Sequence, residues 1–219
     1  MIKSACHDNQ AEHYDKKLAN QTINEYDYIR ENYFILHDRV IALLDIKITD
    51  KVLDIGIGTG LLEEKIDKRC TIAGIDISKK MLEKVKQKSL SVELKEGSFL
   101  NIPYPDNHFN SVITCFAFHH LSDDEKILAL KEIDRVLTPD GKLIIGDFMY
   151  KDPTSKIAIE KRFKEEERPD MIEEMGDENF TNIEWLASVY ENNQCKIESE
   201  QIATISWIVK VEKEKQHCI

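Results

Sequence analysis

From residue 51 to residue 147 the chain alternates short β-rich runs with amphipathic stretches, and few architectures accommodate that rhythm. Residues 51–55, 71–76, 91–95, 110–115 and 142–147 read as strands. Between them, 61–68, 78–88 and 122–137 carry apolar residues at helical intervals. Ser78 is placed to cap the second helix, and Ser122 with Glu125 has the spacing of a capping box at the third. Pro139, Asp140 and Gly141 then read as a turn into the fifth strand. Strands joined through helical crossovers run parallel, with helices on both faces of the sheet. The apolar strand cores at 112–115 and 143–146 suit strands covered on both sides.

The end of the chain breaks the pattern. A helix is expected over 182–193, followed by strands at 196–201 and 204–211 with almost no connection. A parallel return needs a dozen or more residues, so these two strands form an antiparallel hairpin. Residues 8–46 read as helical and are rich in tyrosine: Tyr14, Tyr26, Tyr28 and Tyr33. Residues 151–178 form an insertion whose 160–178 stretch holds nine acids and four bases. It reads either as a solvated helix or as a cap over a site.

A chain of 219 residues buries about 70% of its unfolded surface, so one domain holds a core without disulfides or a structural metal. Its five cysteines are odd in number and scattered, with no C-x-x-C pair, which fits a reducing cytoplasm. A net charge of −11 without a basic stripe argues against a nucleic-acid partner. No apolar run approaches the roughly 20 residues of a membrane span, and the first residues hold no secretory h-region.

The informative segment is Asp54-Ile-Gly56-Ile-Gly58-Thr59-Gly60. Glycines between the first strand and the next element let a ligand approach the backbone, at the strand ends where open α/β sheets bind ligands. The spacing is G-x-G-x-G, whereas dinucleotide folds carry G-x-G-x-x-G. Asp54, just before the loop, opposes a pyrophosphate but suits an ammonium group. Asp76 ends the second strand eighteen residues past Gly58, about where an acid takes ribose hydroxyls. Two acids at strand ends around a glycine loop are costly without a ligand. A ribose with an amino-acid tail and no phosphates satisfies all three features, and S-adenosylmethionine is such a ligand.

On these residues the chain resembles the class I S-adenosylmethionine-dependent methyltransferases, in particular small bacterial members related to ubiquinone/menaquinone methylases. The resemblance extends to residues 74–78 with Met81, to Glu96-Gly97-Ser98-Phe99, to Phe109-Asn-Ser-Val112, to 136–142 and to Ala11-Glu-His-Tyr14-Asp15. It implies a Rossmann-like, doubly wound mixed sheet of seven strands with the last antiparallel. Residues 1–46 would be an N-terminal helical lid, 47–219 the methyltransferase domain, and 151–181 a helical cap insertion. S-adenosyl-L-methionine is then the implied cofactor and S-adenosyl-L-homocysteine the product. Asp54 with Gly56, Gly58, Thr59 and Gly60 would hold the methionine part, and Asp76 the ribose. Met81 would belong to the ribose segment and Gly97 to the adenine segment, with Ile77 and Phe99 against the adenine faces and Ser98 at its edge, where the family usually has an acid. Cys115 and Phe116 would flank the sulfonium, and Tyr14 would close over the cofactor carboxylate.

Methyl transfer from a sulfonium needs alignment and water exclusion, and a base only where the acceptor is protonated at neutral pH. His119 and His120, just after the fourth strand, are the catalytic candidates, the bland alternative being loop histidines bonded to Asp123 or Asp124. No metal is expected, since no fourth ligand stands at suitable spacing from Cys115, His119 and His120. The expected partner is a small-molecule methyl acceptor, and the expected assembly a monomer or homodimer. An RNA or protein methyltransferase, and an S-adenosylmethionine-binding protein with other chemistry, remain as alternatives.

Overall fold

A computed structural model describes residues 28–29, 31–66, 70–191 and 195–213. Tyr14, Tyr26, the start of the expected lid and the ends of two expected helices lie outside the described residues.

The elements are α1 (Tyr33–Leu44), β1 (Lys51–Ile55), β2 (Thr71–Asp76), α2 (Lys79–Gln87), β3 (Val92–Glu96) and β4 (Phe109–Cys115). A 3-10 turn (Phe118–His120) follows, then α3 (Asp123–Val136), β5 (Leu137–Tyr150), α4 (Pro153–Glu165) and α5 (Pro169–Asp177). The chain continues through β6 (Thr181–Asn182), α6 (Ile183–Tyr190), β7 (Cys195–Gln201) and β8 (Ser206–Lys213). The sheet order is β3-β2-β1-β4-β5-β8-β7, with the two-residue β6 beside the end of β5. β1 to β5 are parallel, while β8 runs antiparallel to both β5 and β7, so the predicted hairpin is present.

Period-two alternation in the strands explains the two buried faces. Leu53, Ile55, Val112, Leu143, Ile145 and Val209 point into a core closed by α3 and α6, through Leu130, Ile133, Leu186 and Tyr190. Val52, Ile113, Ile144 and Ile208 point the other way, against Leu36, Val40 and Leu44 of α1 and Leu62 and Ile66. A third cluster joins Phe163 of α4 and Met171 and Met175 of α5 to Phe148, Phe180, Ile205 and Tyr28. The insertion is thus two helices with a packed apolar side, and its acids lie mainly on the outer faces.

The caps form as expected. Ser78 accepts from the Met81 amide at 3.2 Å, and Ser122 and Glu125 make a reciprocal capping box on α3. Two expectations need correction. Residues 61–66 form successive turns and no regular helix, with only one i→i+4 bond, from Glu64 N to Gly60 O. A segment this short, opening on glycine, lacks the length over which helix propagation repays nucleation. Pro139–Gly141 does not end a connection before β5 but bulges within it: Leu137 already pairs with Phe109, and the register resumes at Lys142 opposite Ser111. Among the described residues no helix is long and apolar enough to cross a membrane.

Candidate active site

Apart from Met81 in α2, the cofactor and catalytic candidates in the described chain come from a strand end or the turn after it, along the carboxyl edge of β1 to β4. The glycine loop is tied to β2 by Gly56 N and Ile57 N, which both donate to Ile75 O, at 2.8 and 3.1 Å. Gly56 has φ +78°, and a Cβ there would stand 2.6 Å from that of Ala117, so only glycine lets the loop pass under the β4 end. Gly58 differs: its φ is +56°, but a Cβ would meet nothing closer than Gly56 O at 4.0 Å. The space over the loop is open. Gly56→Ala is therefore expected to destabilise the free protein by more than 1 kcal/mol, since both strain and overlap act. Gly58→Ala is expected to cost the fold only about 1 kcal/mol while obstructing a ligand on the loop. Melting curves paired with calorimetric titration separate the two.

Asp76 spans the loop and the next helix. Its Oδ2 accepts from Gly58 N at 3.0 Å and its Oδ1 from Ser78 N at 2.8 Å. Asp54, on the α1 side of β1, is buried, and its Oδ1 meets no donor among the described residues. Burial raises its carboxyl far above the usual range, and the negative charges of Glu63 and Asp76 push the same way. A buried acceptor without a donor, beside an open glycine loop, fits a ligand that brings an ammonium group. These residues therefore fit S-adenosylmethionine.

The remaining cofactor candidates divide. Gly97 donates to Asp76 O at 3.2 Å, and Ile77 is half-buried beside it. Ser98 Oγ accepts from Leu100 N at 3.3 Å, within a tight turn closed with Asn101. Met81 is buried in α2, and Phe99 packs edge-on against Phe118 in the core, 5.6 Å between centroids. Phe116 carries a left-handed φ of +53°, donates its N–H to Gly146 O, and stacks on Tyr33 at 4.7 Å. A non-glycine residue held there is the kind of strain that binding sites retain. Burial, with the charges of Asp54, Glu63 and Asp147, pushes the Cys115 thiol up, so it stays neutral.

The two histidines do not bond to Asp123 or Asp124. His119 Nδ1 lies 2.5 Å from Asp147 Oδ1, and His120 Nδ1 lies 3.0 Å from Glu178 Oε2. Asp147, at the carboxyl edge of β5, also accepts from Phe118 N (2.7 Å), His119 N (3.0 Å) and Phe148 N (2.7 Å). Burial alone would lower the His119 pKa. The Asp147 charge and hydrogen bond, aided by Glu178, outweigh burial and a smaller opposing effect of Lys126, so the imidazole is raised. Burial would raise Asp147, but His119 and the backbone donors hold it below the ordinary carboxylate value. The His119 main-chain oxygen accepts from Asn179 N at 3.0 Å, and the buried Lys126 donates to Asn179 O at 2.5 Å. The segment after α5 is thereby fastened to the histidine turn.

Three participants escaped sequence reasoning: Glu63, Asp147 and Glu178. Asp147 had a signal, an acid closing an apolar strand just as Asp54 and Asp76 do. Glu63 and Glu178 had none, lying in charged stretches that look solvated. His119, His120 and Glu178 bring donor atoms within 4.8 Å of one another, a grouping no sequence spacing revealed.

Comparison with known proteins agrees with this fold. Residues 52–141 match the family model described as a methyltransferase domain. An uncharacterised methyltransferase of Oceanobacillus iheyensis is 28% identical over 202 residues, covering 90% of this chain and 92% of its own. Among solved structures, a SAM-dependent methyltransferase of Aquifex aeolicus aligns with TM-score 0.60 and 20% identity, over 91% of this chain and 98% of that one. The N-methyltransferase NodS of Bradyrhizobium japonicum, solved with S-adenosyl-L-homocysteine, aligns with TM-score 0.62 and 15% identity, over 95% and 100% of the two chains. The matched stretch contains the glycine loop and both strand-end acids, and the relative extends the likeness to nearly the whole chain: residues 52–141 form a methyltransferase domain of the S-adenosylmethionine-dependent kind.

Proposed function

We propose that this methyltransferase serves a small organic acceptor, by in-line displacement, with His119 as the proton acceptor and Asp147 as the residue that positions it. The observation that carries this reading is the buried His119–Asp147 pair beside the β4 end, on the carboxyl edge that holds the glycine loop. When bound, S-adenosylmethionine supplies an electrophilic methyl group. The chain's own work is to hold and align. Asp54 and the loop backbone hold the amino-acid end, and Asp76 holds the ribose. Asp147 fixes the imidazole through Nδ1, leaving Nε2 to take a proton from a hydroxyl or ammonium acceptor, and it stabilises the imidazolium that results. The aromatic wall of Tyr33, Phe116, Phe148 and Phe180 excludes water.

In this reading residues 1–46 act as a lid and 151–181 as a cap whose Asn179 contact sets the histidine turn. The apolar and aromatic inner faces of α1, α4 and α5 favour a small organic molecule over a polyanion. A panel of small alcohols, phenols and amines, scored by release of S-adenosylhomocysteine, tests the acceptor class. With an acceptor in hand, His119→Ala is expected to lower turnover about 10²–10⁴-fold, with His120→Ala much milder. Equal turnover in His119→Ala and the wild type removes the base role. Salt-dependent nucleic-acid retention in a filter assay removes the small-molecule reading.

A further inference from the structure

Glu63 sits three residues past Gly60, and the transfer step as described leaves it without a task. It is only 4% exposed, and neither of its carboxyl oxygens meets a donor among the described residues. What lies within reach is Asp54, itself 3% exposed, whose Oδ1 likewise meets no donor among the described residues and whose carboxyl is raised by burial and by the charge of Glu63. Two ionised carboxylates cannot bond to each other. With no donor to either among the described residues, burial makes the doubly charged state costly, and a proton between them relieves it.

We propose that Asp54 and Glu63 share one proton in the free protein, and that the ammonium group of S-adenosylmethionine replaces it, so that cofactor binding releases a proton. This rests on the cofactor assignment above and adds Glu63 to the cofactor site. An ammonium carries three N–H donors and a positive charge. It can bridge two carboxylates as the proton does, and its charge makes their double ionisation tolerable. The groups facing the pair act as follows. Asp76, from β2, further raises Asp54. On Glu63, the positive charge of Lys88 at the end of α2 lowers the carboxyl and Glu64 raises it, and those two are paired at 2.6 Å. Cys115, from β4, stays a neutral thiol.

The wild type alone decides the main point. S-adenosylhomocysteine and S-adenosylmethionine are titrated calorimetrically near pH 7 in two buffers of different ionisation enthalpy, and again across pH 5.5–8.5. Release of a large fraction of one proton is expected, with affinity rising up to tenfold per pH unit where the shared proton is held. Glu63→Gln keeps an N–H donor to Asp54 but cannot ionise. It should bind several-fold more weakly, with no proton released and a flat pH profile.

The free protein offers a separate readout. Both carboxyls are raised, so the stability their proton contributes is present at low pH and is lost as pH rises through the folded values. Wild-type melting temperature should therefore carry a downward component with rising pH that Glu63→Gln lacks. Proton-neutral binding by the wild type, or the same release from Glu63→Gln, overturns the proposal. Failure of the wild type to bind either compound at any pH overturns the cofactor assignment and the release together, a result distinct from binding without proton exchange.

Discussion

Asp76→Ala is expected to weaken S-adenosylhomocysteine binding at least about 100-fold, a loss near 2.7 kcal/mol. The reason is the double task of one carboxylate. Its two oxygens take the amide protons of Gly58 and Ser78, so it joins the glycine loop to the start of α2, and in the proposed cofactor reading it also receives the ribose hydroxyls. Alanine removes the ribose acceptor and frees the loop at once. Asp76→Asn should fall between, because its amide oxygen can accept from one of the two N–H groups while its NH₂ opposes the other. Calorimetric titration beside a melting curve checks this. Near-wild-type affinity in Asp76→Ala would place the ribose contact elsewhere.

Asp147→Ala is expected to destabilise the protein by about 3–5 kcal/mol, the usual cost of removing one partner from a buried pair. For a chain of this size that is a fall in melting temperature of roughly 10 °C or more. Three backbone amides and the His119 imidazole lose their acceptor together. Asp147→Asn should cost less, yet it removes the charge that holds His119 up, leaving burial to lower it. The sign of the pH dependence follows from the two shifts. Asp147 is depressed, so its contribution is present above the ordinary carboxyl value near 3.8 and is lost as pH falls through the lower folded value. His119 is raised, so its contribution is complete below about pH 6.5 and is lost as pH rises through the higher folded value. The wild type should thus owe the pair most between those limits, and Asp147→Asn should flatten both flanks. Melting curves across pH, with the His119 imidazole followed by NMR, measure it. An unshifted His119 titration in the variant would show that the pair does not govern this histidine.

The parallel strands, both helix caps and the final hairpin were legible because each rests on local chemistry: alternation of apolar residues, a serine before a helix, a connection too short to cross over. The turns at 61–66 were misread because helical periodicity in a short segment does not report whether helix propagation repays nucleation. The bulge at 138–141 was misread because turn residues look the same whether they end a strand or interrupt one.

The alternation of strands and helices determined, from sequence alone, a parallel α/β sheet, and the glycine loop with the acids at positions 54 and 76 marked the strand ends of the proposed cofactor site. Spacing along one βαβ unit is enough to set that site. Tertiary structure alone decided the chemistry beside it. Asp147 reaches His119 across twenty-eight residues, Glu178 reaches His120 across fifty-eight, and Glu63 is buried away from water. Those partners are set by which strand ends and turns the sheet order brings side by side. A carboxylate in a charged stretch looks solvated until the fold withdraws its water.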